Sequence, residues 1–126
     1  MEKQLKVLRH QLYLKLNLRK NREGIVMEFL FNSNGEHIAN FVNGQLHAPS
    51  GENVGHYREN EKIFIDMNGY YLGEIMYGNR LFHNNYSSYK NINFGIYGNY
   101  GNVGNYGNPG NYGSIGLIGG YKDISF

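Results

Sequence analysis

The chain has 126 residues, with 18 glycines, 12 tyrosines and neither cysteine nor tryptophan. That mix favours short strands and turns in one domain and excludes disulfides, thiolate metal sites and a cysteine nucleophile. Its formal net charge of +2 averages two unlike parts: residues 1–26 hold seven basic side chains against two acidic ones, residues 27–126 five against eight. A mildly acidic body argues against nucleic acid as a partner.

The N-terminal stretch KVLRHQLYLKLNLRK is ambiguous in period. Leu5, Leu8 and Leu12 fit one helix face, whereas Leu12, Leu14, Leu16 and Leu18 alternate as in a half-buried strand. Charges interrupt every apolar stretch, so it does not read as a secretory signal, and no run approaches the ~18 apolar residues of a membrane-spanning helix. A cytoplasmic protein without a transmembrane segment is expected. Residues 1–26 read as a basic extension, solvated rather than nucleic-acid-binding. A mis-called start is a further reading, since codons for Arg22-Glu23-Gly24 can resemble a bacterial ribosome-binding sequence just before Met27.

From Met27 the chain becomes repetitive. NGEHIANF (34–41), SGENVGHY (50–57) and NGYYLGEI (68–75) align on Gly35, Gly51 and Gly69. Each glycine follows Asn or Ser; three residues on comes an aliphatic, then a small residue, a polar one and a large apolar one. Short strands EFLFN, QLHA and KIFID precede the turns. The unit reads as a β-hairpin, with positive φ expected at both central turn positions. A bulge or bend at Ala39, Gly55 and Gly73 would turn the flanking apolar residues inward and bring neighbouring backbones together. A fourth, atypical unit starts at Arg80-Leu81-Phe82, turns at Asn84-Asn85 and continues through Tyr86 and Tyr89.

A single hairpin is not stable, and an open array exposes its edges, so four hairpins are expected to close around a common axis. These motifs, ending in NGYYLGEIMYGNRLFHN, resemble the four-fold β-flower family over residues 28–126. The resemblance implies petal-like hairpins around a shallow central barrel, followed by a Gly-rich C-terminal tail. Its centre has been likened to tubby-type lipid-binding barrels, an analogy of architecture alone. The fold class expected is therefore all-β: a hairpin repeat domain at 27–94 and an extended glycine-triplet arm at 95–126.

In that arm, glycine recurs at every third position from Gly95 to Gly119, mostly followed by Asn. A backbone with three residues per turn would separate a glycine edge, an asparagine edge and an edge of Tyr97, Tyr100, Val103, Tyr106, Pro109 and Tyr112. The single proline of the run, Pro109, argues against a collagen helix, which needs abundant proline and three chains. Disorder is one expectation for such a composition. The apolar edge and the ending SIGLIGGYKDISF favour instead an arm laid on the barrel by its tyrosines, with a loose centre.

No catalytic or cofactor constellation emerges. His10, His37, His47, His56 and His83 show no metal-ligand spacing and read as surface side chains. Glu36, Glu52 and Glu74 read as solvated turn acids rather than a catalytic pair. The inward set Ile38, Phe41, Val54, Tyr57, Leu72 and Ile75 reads as core, or as the lining of an axial cavity for an apolar ligand or lipid. The expected function is a non-enzymatic binding module using that axis. The alternative is a protein-interaction or structural domain using Tyr97, Tyr100, Tyr106 and Tyr112.

Overall fold

The computed structural model describes residues 18–20 and 26–126. It is all-β: β1 (Leu18–Lys20), β2 (Val26–Phe31), β3 (His37–Val42), β4 (Gln45–His47), β5 (Asn53–Arg58), β6 (Ile63–Asp66), β7 (Tyr71–Met76), β8 (Arg80–Asn84) and β9 (Tyr121–Asp123). Each strand pairs with the next, and β2 also pairs with β8. Six successive antiparallel steps leave β8 running in the direction of β2, so the seven-stranded barrel has to close in parallel. It does so at Phe31 and Arg80, beside a Phe31 N–H···O=C Asn79 bond of 2.9 Å.

The three repeat turns share one geometry. Gly35, Gly51 and Gly69 each donate their N–H to the carbonyl three residues back, at 2.8–3.0 Å. Asn32, Ala48 and Asp66 in turn donate to the carbonyls of Glu36, Glu52 and Tyr70. Only the glycine of each turn has positive φ. These are three-residue loops closed by a left-handed glycine, not two-residue turns with positive φ at both positions. The two-residue arrangement lies at the opposite barrel end, where Asn43-Gly44 (φ 51° and 80°) and Tyr77-Gly78 (φ 53° and 84°) connect the hairpins.

The expected bulges are present, one residue earlier than the small side chains. The ladder skips Ile38, Val54 and Leu72, while Ala39, Gly55 and Gly73 stand opposite Leu30, Leu46 and Phe64. The small residues leave room for those large partners. A Cβ on Gly55 would strike the Ile65 carbonyl, and one on Gly73 the Phe82 carbonyl, so neighbouring backbones do run close. Leu30, Ala39, Leu46, Phe64 and Leu81 are fully buried along the axis, with Ile38, Phe41, Val54, Tyr57, Leu72, Ile75 and Ile124 packed on them. Removing that much apolar surface from water is the main stabilising contribution.

The fourth hairpin departs from expectation. Its first strand is β8, but the chain does not return through Tyr86 and Tyr89. The partner is β9, with Asn84 opposite Tyr121, and residues 85–120 lie between the two strands. Asp123 fastens β9 to the first hairpin, accepting from Ser33 N–H at 2.8 Å and from its Oγ at 2.5 Å. The sheet therefore runs beyond the boundary drawn at residue 95. At the other end it reaches back past Met27, because β2 starts at Val26 and β1 pairs with it. Other expectations for residues 1–26, the alternative start included, lie outside the described residues. Among the described residues no helix is long and apolar enough to cross a membrane.

Candidate functional site

The glycine triplets form a belt across the hairpin tips. Phe94 donates its backbone N–H to Gly69, Val103 to Gly51 and Tyr112 to Gly35, each at 2.9 Å. The stride is nine residues, three triplets per hairpin, and another nine residues reach Tyr121 at the start of β9. At each tip a Cβ on the turn glycine would collide with a belt carbonyl, that of Gly95, Val103 or Tyr112. The turn glycines thus serve two ends: the left-handed φ of the loop, and a bare surface against which the belt backbone lies.

Within the belt the expected edges separate only in part, since Tyr100 and Tyr112 are exposed along with the glycines. Asn99, Asn102, Asn105, Asn108 and Asn111 are exposed, whereas Tyr97, Val103, Tyr106, Pro109 and Ile115 are half-buried. The backbone is not a uniform three-fold helix, since Gly95, Gly101, Gly107 and Gly110 have positive φ. Each of these donates its N–H to the Oδ1 of the Asn two residues before, at 2.7–2.8 Å. Asparagine is suited to such side-chain turns, which explains its choice in the triplet.

The candidate interaction tyrosines divide. Tyr97 packs beside His56 and accepts a hydrogen bond from Arg58, whose guanidinium also stands 4.3 Å from the Phe94 ring centroid. Tyr112 packs at a tilt against Phe31, ring centroids 4.4 Å apart, and is 45% exposed, and Tyr100 is 63% exposed. Tyr106 is half-buried. A second arginine, Arg80, ties the belt to the first hairpin by bonding the carbonyls of Gly113 and Asn32 at 2.7 and 2.8 Å.

The six axial candidates come together, all half-buried around the core. Phe41, Tyr57 and Phe64 form a trio with ring centroids 5.0–5.1 Å apart, and Phe64 is fully buried beneath the other two. Apolar rings fill the axis at this level. Beside them lies Glu28, opposite Phe41 in the ladder and 2% exposed. Burial pushes its carboxyl up to about 7, and its Oε1 has no partner among the described residues. Sequence reasoning passed over Glu28. The available signal was its position two residues before the inward Leu30.

The histidines are not the surface set expected. His47 and His56 are both buried, on the wall covered by the belt. His47 Nδ1–H donates to the Gly51 carbonyl at 3.0 Å, the same oxygen that receives Val103 N–H. His56 lies between Tyr97 and Tyr100 with neither ring nitrogen hydrogen-bonded. Burial, with His47 adding to it, lowers its pKa below the usual 6.5. His37 bonds Asn40 Oδ1 at 2.6 Å, and His83 donates to the Leu72 carbonyl at 2.8 Å. The described residues contain no group of three potential metal ligands. Glu36 and Glu52 are exposed as expected; Glu74 is half-buried and accepts from Tyr71 Oη at 3.3 Å.

Where the belt spans the gap between the first two tips it borders an open cleft of about 590 Å³. Glu36, His37, Pro49, Ser50, Asn105, Gly107, Asn108 and Asn111 line it. A second cleft, about 320 Å³, lies around Arg58, Glu61 and Tyr97. No protein-family model, curated protein or solved structure matches the chain.

Proposed function

We propose that the chain is a non-catalytic binding module whose working surface is the belt, with the cleft it forms over the first two hairpin tips. One observation carries this reading. The backbone bonds and side-chain turns that hold the belt leave the carboxamides of Asn99, Asn105 and Asn108 anchored through Oδ1 and, with Tyr100 and part of Tyr112, facing solvent. Rigid donors and aromatic faces recognise a partner at small entropic cost. No described cluster offers a paired acid and base or an activated nucleophile, so nothing on this surface supports a catalytic reading.

The axial reading keeps one favouring observation: Ile38, Phe41, Val54, Tyr57, Leu72 and Ile75 remain partly open rather than sealed. An apolar molecule or lipid would meet that ring. The hairpins around a closed barrel support the resemblance to the β-flower family on which this second reading draws. Amide NMR with a chemically diverse ligand library separates the two. Binding at the belt perturbs Asn102 to Asn111, whereas axial binding perturbs the six inward residues. Perturbations confined to the second set, or an apolar molecule retained in native mass spectrometry, would overturn the belt reading.

A further inference from the structure

We propose that the cleft between the first two hairpin tips and the belt binds a neutral, polyhydroxylated ligand, a short oligosaccharide. The proposal rests on the belt as working surface and names the ligand class that its chemistry fits. Its volume, about 590 Å³, lies within the ordinary range for small-molecule sites.

Charge narrows the class first. The lining contains no lysine or arginine, so a phosphate or carboxylate would find no counter-charge. Glu36 is its single carboxylate, too few oxygens for calcium. What remains is a wall of asparagine amides with one hydroxyl, that of Ser50, beside the Glu36 carboxylate and the His37 imidazole.

The orientation of those groups narrows it further. The Oδ1 atoms of Asn105 and Asn108 are occupied, accepting from Gly107 and Gly110 N–H at 2.8 Å each. Each carboxamide is thereby fixed, leaving its Nδ2 as a donor with two hydrogens. Across the cleft, Glu36 Oε1 accepts from Asn32 Nδ2 at 3.1 Å, while Oε2 keeps its acceptor capacity. His37 has Nε2 engaged with Asn40 and Ala39, which leaves Nδ1 for a ligand. A row of fixed donors opposite an acceptor suits hydroxyl groups, which donate and accept through the same oxygen. The Pro49 ring supplies an apolar patch for the C–H face of a sugar.

The test is a ¹⁵N NMR titration of the full chain, following side-chain amides, with chitotriose, cellotriose and maltotriose as probes. Inorganic phosphate and an asparagine-rich peptide serve as controls. At least one trisaccharide is expected to shift Asn105, Asn108 and Asn111 saturably below ~10 mM. Glu36→Gln, which preserves shape, and Asn111→Ala, which breaks none of the belt's backbone bonds, should each weaken it about tenfold with unchanged Tm. The proposal fails if no trisaccharide moves these amides, or if both variants bind as the parent does. Should the peptide alone shift them, the oligosaccharide is excluded and the belt reading stands. Perturbation confined to the axial residues would remove both.

Discussion

The barrel and the belt are ordered by different means. In the barrel, side chains fix the geometry: Leu30, Leu46, Phe64 and Leu81 fill the axis, and the small residues opposite the first three make room for them. In the belt, the contact repeated at all three hairpin tips is a backbone bond, made from Phe94, Val103 and Tyr112, three side chains with little in common; side chains such as Arg80 and Ser114 add bonds at the first tip. Packing determines one region, and the spacing of backbone donors determines the other. A core substitution should therefore act on the whole fold, while a belt substitution should act on seating at one tip.

The sharpest test of the first half is Phe64→Ala, expected to cost about 3–5 kcal/mol, since it removes the ring beneath Phe41 and Tyr57. A shift of the urea midpoint worth less than about 1 kcal/mol would contradict a side-chain-built axis. Next in size is a matched pair of glycines. Gly35 and Gly44 both have positive φ, but only Gly35 lies against the belt; an added Cβ at Gly44 would meet open space. Gly44→Ala should cost about 1 kcal/mol, and Gly35→Ala about 2–4 kcal/mol with faster exchange of the Tyr112 amide. Equal costs would show that the belt does not bear on the tip.

The buried titratable groups extend the comparison to pH. Glu28 belongs to the barrel interior, and its raised pKa means that the folded state binds the extra proton. Stability from this residue falls as pH rises between 4.5 and about 7, by up to ~3 kcal/mol. His56 lies under the belt with a lowered pKa, so its contribution is present above 6.5 and is lost as pH falls below it. The two slopes oppose each other. Glu28→Gln should leave the acid-side loss due to His56, and His56→Phe should leave the alkaline-side loss due to Glu28. Urea midpoints between pH 4.5 and 8 measure both, and an identical profile for Glu28→Gln would place the Glu28 carboxyl in solvent. A comparably small effect to that of Gly44→Ala is expected for Tyr112→Ala, about 1 kcal/mol from the lost ring contact with Phe31. Its backbone N–H still reaches Gly35, so protection of that amide should persist.

The first three hairpins were legible in the sequence because each needs a glycine at its turn and a small residue opposite a large one. Those requirements recur as letters. The fourth was not, because β9 is Tyr-Lys-Asp, too short to alternate, and its partner lies beyond the whole belt. The triplet period was visible, but its nine-residue stride was not, since the bonds that define the stride use the backbone. Glu28 was passed over and His56 misjudged for one reason: the burial of a lone charged or imidazole side chain is not legible unless its cover is known. The cover of His56 is a segment more than forty positions away. The cleft is assembled from two tips and the belt, so no contiguous stretch announces it.

The interposition of the belt between β8 and β9 has a consequence for the newly made chain. Translation delivers β2 to β8 first, so the barrel can close at Phe31 and Arg80 while the outer part of the β8 edge is still bare. That edge, Phe82 to Asn84, waits for a partner that leaves the ribosome only after every belt residue has emerged. At ~5–20 residues per second the delay lasts roughly seconds, long compared with the microseconds of hairpin formation. During that interval the nascent protein exposes an unpaired strand near the uncovered Phe31, the moment at which pairing between neighbouring chains competes with its own completion.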